Sequence, residues 1–197
     1  MVAWLHHAAR IDENPVLEVA CLAARETGLP LVVHAGFGGR HDFANDRQTI
    51  FMLEGWAELQ GRLRERGIRM SITPPNQADP SGLRHLAERA RFLITEDHPR
   101  NPYPAWTRSI DRSVPGHTIR VDASCLVPGA GVPGIHDRAF KFRAACTAGW
   151  NARIHREWNP IEITAPPAND VDLPPGWLDL GDHGDQELRD LAGTWPI

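Results

Sequence analysis

The chain has 197 residues, 42% of them hydrophobic and 23% charged, which is enough to bury one sizeable core and implies one domain. A formal net charge of −4 argues against a generally basic nucleic-acid binder, and no apolar run approaches the roughly 20 residues of a membrane span. Cys21, Cys125 and Cys146 are odd in number and form no CxxC, and residues 1 to 10 lack a signal-peptide pattern, so reduced thiols and a cytoplasmic location are expected.

Val2 to Leu5 is short, apolar and without alternation, as in a strand buried on both faces of a parallel sheet. His6 and His7 follow directly. A first helix is predicted from Pro15, capped by Asn14 and stopped by Gly28. Residues 29–36 read as a second strand, followed by the Gly-rich loop GFGGRHD. The longest helix spans about Asn45 to Arg66, with Ile50, Leu53, Ala57 and Leu63 as its buried stripe. Residues 68–74 form a third strand. Asp79 and Pro80 open a third helix, and residues 91–97 form a fourth strand. A short helix at 104–112 leads to a fifth strand at 117–124, and a last helix covers 137–156. Residues 1–156 thus form an α/β domain. Residues 157–197 read as an extended Pro-rich tail, with one helical turn near 186–191, that packs on the domain or on a partner.

Strands alternate with helices throughout, which implies a Rossmann-like three-layer sandwich around a five-stranded parallel sheet, with order 3-2-1-4-5. Ligands of such folds bind beyond the carboxyl ends of the strands, where strand order reverses. The residues there are His6, His7, His34, Glu96, Asp97, His98 and Asp122. Imidazole titrates near neutral pH, and a neighbouring carboxylate fixes its tautomer, so His6 or His7 is a candidate base. His34 and His98 are candidate proton partners, and Asp97 a candidate orienter. Gly36, Gly38 and Gly39, with Arg10, Glu96 and Asp122, are candidate ligand contacts. The plain alternative is that all these groups only satisfy loop backbone. Adjacent His6 and His7 cannot both point inward from extended chain. No HxH, HExxH or CxxC spacing supports a metal, and GFGGR lacks the phosphate-loop pattern.

The stretch AWLHHAARIDENPVLEVACLA resembles the opening of the photolyase/cryptochrome family, with Arg10, Glu13, Asn14 and Leu17 at its signature positions and Glu13 where Asp is usual. FMLEGWAELQGRLRERGI, LITEDHPR, IRVDASCLVP and HDRAFKFRAAC resemble later segments of the class II photolyases, in the same order, over about residues 1–156. The resemblance implies the family's α/β antenna-type domain without its FAD-binding helical domain, so no FAD in the repair mode. His7 and Ala8 stand where the family usually has Arg and Asp, which implies altered pocket chemistry.

Two readings follow. In one, the domain is a cofactor-independent enzyme that acts on a small molecule by His/Asp acid–base chemistry, such as cyclisation, elimination or hydrolysis. In the other, which the resemblance implies, it is a non-catalytic subunit that binds deazaflavin, flavin or nucleotide and serves a helical-domain DNA-repair partner. A homodimer is a further option, and a structural remnant is a third reading. Seven Trp are read mainly as packing of the tail, with a partner interface as the alternative.

Overall fold

A computed structural model of the chain describes residues 1–36, 45–74, 81–132 and 134–195. Five strands, β1 (Val2–Trp4), β2 (Val32–Gly36), β3 (Arg69–Thr73), β4 (Phe92–Glu96) and β5 (His117–Val121), form one parallel sheet in the order β3-β2-β1-β4-β5. The helices are α1 (Pro15–Thr27), α2 (Asp46–Arg64), α3 (Ser81–Ala87), α4 (Tyr103–Asp111), α5 (Ala139–Arg153) and α6 (Asp185–Gly193). The fold is the Rossmann-like α/β sandwich that the alternation predicts. The expected start of α3 at Asp79 and Pro80 lies outside the described residues.

Period-two alternation assigns each strand residue to a face. Ala3, Leu5, Val33, Ala35, Ile72 and Ile94 pack against α1 and α2. Val2, Trp4, Val32 and Leu93 pack against α3 and α4 through Leu83, Leu86, Ala87 and Ile110. Register places Ser71, His34, Trp4 and Thr95 in one row across that second face. α1 starts as its sequence dictates. Asn14 Oδ1 accepts from the Val16 and Leu17 amides at 3.0 and 3.4 Å, and Gly28 closes the helix at φ 67°.

Residues 157–195 wrap the sandwich. Arg25 Nη1 donates to the Glu162 and Thr164 carbonyls, and Arg69 Nη1 to those of Ala168, Asn169 and Val171. The Leu178 amide then donates to Ile72 O at 2.8 Å, forming an antiparallel bridge on the free edge of β3. α6 lays Leu188 and Ala192, with Trp195 beyond, on the α2 side of the core. It is longer than the single turn expected from sequence. Glu187 Oε2 accepts from the Gly184 amide at 2.8 Å, and burial of that apolar face stabilises the rest.

Candidate functional site

Where β1 and β4 lie side by side, the chain leaves β1 as the loop His6–Asn14, and two buried side chains set its shape. Glu96, at the end of β4, is 2% exposed, and its Oε1 accepts from the His6 amide at 3.2 Å and the Ala8 amide at 2.8 Å. Asn14 Nδ2 donates to the Ala8 and Arg10 carbonyls at 2.9 and 2.7 Å. Buried loop backbone must find such partners. Arg10 adds an outer clamp, donating to Glu13 O at 3.0 Å and Ala123 O at 3.4 Å.

With the backbone held, the two histidines diverge. The His6 ring turns inward, its side chain 3% exposed, with Nδ1 3.2 Å from Glu96 Oε2. That approach is off the hydrogen-bond direction, so it is an electrostatic contact. Burial pushes the His6 pKa below its ordinary value, and the Glu96 carboxylate opposes the shift only in part. The ring stacks on Tyr103, with centroids 4.9 Å apart and planes 15° apart, and meets Trp4 edge-on at 4.8 Å. His7 faces outward and is exposed. Its ring lies 4.6 Å from that of His98 and 5.9 Å from Tyr103, while His98 and Tyr103 are themselves 4.6 Å apart. Trp106 continues the series 5.4 Å beyond Tyr103. The result is a set of contiguous rings, buried at Trp4 and His6 and reaching solvent at His7 and the half-exposed His98.

Four of the predicted residues therefore meet: His6, His7, Glu96 and His98. The others do not join them. His34 is 2% exposed, with Nδ1 3.2 Å from Ser71 Oγ, beneath α3. Burial lowers its pKa to about 3, so as a proton partner at neutral pH it has no charge to exchange. Gly82 permits this enclosure, since a Cβ there would come within 2.3 Å of Thr73 Oγ1 and 3.5 Å of His34 Cε1. Asp97 is exposed, its side chain makes no hydrogen bond or ion pair among the described residues, and its charge acts on Cys125, so it orients none of the imidazoles. Asp122 is committed to its own loop, accepting from the Ser124, Cys125 and Gly129 amides at 3.0, 2.8 and 3.2 Å. Gly36 ends β2 beside Thr73, and Gly38 and Gly39 lie outside the described residues. Among the described residues no group of three or more His, Cys, Asp or Glu is arranged to hold a metal ion.

Sequence reading missed Tyr103, the only tyrosine of the chain. It stands at the first position of α4, after a cis Asn101–Pro102 peptide, and touches His6, His7 and His98. The cue was present, because the loop after β4 sits over the strand-order reversal, and an amphipathic ring at its end faces the crevice.

The DNA photolyase family model matches residues 1–155. A deoxyribodipyrimidine photo-lyase from Methanothermobacter thermautotrophicus is 24% identical over 176 residues, which is 89% of this chain and 38% of that protein. The structure is similar to a cryptochrome from Synechocystis sp. PCC6803, with TM-score 0.66 and 15% identity over 88% of this chain and 38% of the other. It is also similar to an archaeal photolyase from Sulfolobus tokodaii crystallised with two FAD molecules, with TM-score 0.56 and 14% identity over 98% of this chain and 41% of the other. The chain thus spans about two fifths of the length of these relatives.

Proposed function

The chain belongs to the DNA photolyase family, and from that premise we propose that it is a ligand-binding α/β domain that holds a planar heteroaromatic of the flavin or deazaflavin class at the carboxyl ends of β1 and β4. One observation carries the reading: His7, His98 and Tyr103 present contiguous rings, 4.6 Å apart along His7–His98–Tyr103, at the strand-order reversal. The rings are tilted by 56° between His7 and His98 and by 64° between His98 and Tyr103, so they make an angled polarisable wall, and imidazole nitrogens both donate and accept hydrogen bonds at its rim. Trp4, His6 and Glu96 form the rigid backing that holds the wall in place. The two FAD molecules of the Sulfolobus tokodaii photolyase, which carry the implication of a novel light-harvesting cofactor in that protein, make a flavin the first ligand to try.

The test is a titration of the full chain with FMN, FAD and a 5-deazaflavin, read by flavin fluorescence and visible absorption. Quenching with a shifted band is expected, and Tyr103→Ala and His98→Ala should each weaken binding by about tenfold, in line with loss of a stacked ring at a binding hot spot. Unaltered ligand spectra, or affinities indifferent to both substitutions with circular dichroism unchanged, would reject the reading.

Acid–base catalysis on a small molecule is the second reading, favoured by the close approach of His7 and His98. It starts with fewer groups than the sequence offers. Glu96 is spent on loop amides, His34 is sealed under α3, and Asp97 stands apart.

A further inference from the structure

A second concavity opens at the other end of the sheet from the rings. It is a cleft of about 310 Å³ between the start of β3 and the C-terminal segment, and its lining includes Arg64, Ile68, Arg69, Met70, Trp177 and Asp179. Arg69 is the first residue of β3, so the cleft lies at the amino end of a parallel sheet whose carboxyl ends carry His6, His7 and His98. Arg69 is in register with Val32, which packs on the α3 side, and Trp177 packs on that same side. The arginine and the indole therefore share one face.

The two arginines of the cleft are held differently. Arg64 Nη1 donates to Asp182 at 2.6 Å and Nη2 to Asp179, so two carboxylates neutralise it. Arg69 Nη1 donates to the Ala168, Asn169 and Val171 carbonyls at 3.0, 3.2 and 2.9 Å. Those acceptors fix the guanidinium without cancelling its charge, and no carboxylate pairs with Arg69 among the described residues. A guanidinium carries five N–H donors in a planar fork, so three carbonyls on Nη1 leave the edge formed by Nη2 and Nε without an acceptor among the described residues. Arg69 is half-buried, where a charge ordinarily has a partner. Trp177 is half-buried too, and its indole N–H has no acceptor among the described residues.

We propose that this cleft binds a small aromatic carboxylate, with its two oxygens on the open edge of Arg69 and its ring against Trp177. The proposal is independent of the flavin reading. A carboxylate matches because the parallel N–H groups of one guanidinium edge meet both of its oxygens at once. Charge sets the valence. Arg64 is spent on Asp179 and Asp182, so Arg69 is the uncompensated cation among the described lining residues, and Asp179 on the wall disfavours a phosphate dianion. A volume of about 310 Å³ stands at the small end of ligand pockets and suits one ring or two fused rings.

Naphthoate is the probe, titrated into the isotope-labelled full chain and followed by NMR. The Arg69 Nε–H and Trp177 Nε1–H signals should move together to saturation, while the His7 and His98 ring signals at the far end of the sheet stay still. Arg69→Lys keeps the charge and loses the fork, and Trp177→Ala loses the ring; each should weaken binding by about tenfold. Arg69 also tethers residues 168–171, so the parent-chain signals decide the matter if Arg69→Lys loosens that segment. Naphthyl methanol, which has no charge, should bind about tenfold more weakly than naphthoate, and naphthyl phosphate should also bind more weakly. Arg69 and Trp177 signals that do not move, movement confined to His7 and His98, or a preference for naphthyl phosphate would each overturn the proposal.

Discussion

His34 condenses the chemistry of the strand ends into one residue. In sequence it is an imidazole at a strand end, the same as His6 or His98. In the structure Ser71, Thr73 and α3 close over it, and burial lowers its pKa from 6.5 to about 3. The unfolded chain therefore binds a proton at His34 that the folded chain refuses between those values. Stability is unaffected by this group above pH 6.5 and falls as pH drops toward about 3, with a slope of at most about 1.4 kcal/mol per unit. His6, lowered by burial as well, adds in the same direction. Urea unfolding from pH 7 to pH 4 should thus show a shallower loss for His34→Gln than for the parent chain, and parallel profiles would contradict the assignment. Glu96 illustrates the opposite fate. The sequence marks it as a candidate for the site, yet its Oε1 is occupied by two loop amides, so it supports the rings rather than meeting a ligand.

At the level of elements, the helix boundaries were legible because their signals are local. Asn14, Pro15 and Gly28 delimit α1 within a few residues of chain, and the apolar stripe of α2 needs only helical period. What α2 does with its polar residue on that stripe was not legible. Gln60, 3% exposed, donates to Met70 O and Leu178 O at 2.9 and 3.0 Å and accepts from the Leu180 and Gly181 amides at 2.6 and 2.9 Å. One amide thereby joins α2, β3 and the C-terminal segment across more than a hundred residues of chain. Replacing Gln60 by Leu leaves four backbone groups to find new partners. We expect a loss of about 2–4 kcal/mol in urea unfolding, with faster hydrogen exchange at the Leu180 and Gly181 amides. Unchanged exchange there would mean that the segment is held by its apolar contacts alone.

For the whole molecule, the wrapped C-terminal segment is a structural member of the domain. It buries Ala168, Leu173, Leu180, Leu188 and Ala192, and it covers the edge of β3 where Leu178 meets Ile72. Unpaired strand edges invite association with other chains. A chain ending at Arg156 is therefore expected to be less stable and to form larger species in light scattering, and a monomer of parental stability would refute this role. No helix among the described residues is long and apolar enough to cross a membrane. The amino-acid order by itself determined the parallel sheet, its 3-2-1-4-5 order and the mouth at the strand-order reversal, because alternation and handed crossovers leave few topologies. It also placed His6, His7, Glu96 and His98 at that mouth. Only the tertiary structure decided which of them face inward, that Tyr103 completes the rings, that His34 is sealed away, and that α5 is left uncovered. Those outcomes depend on contacts between residues distant along the chain, which neither periodicity nor capping encodes.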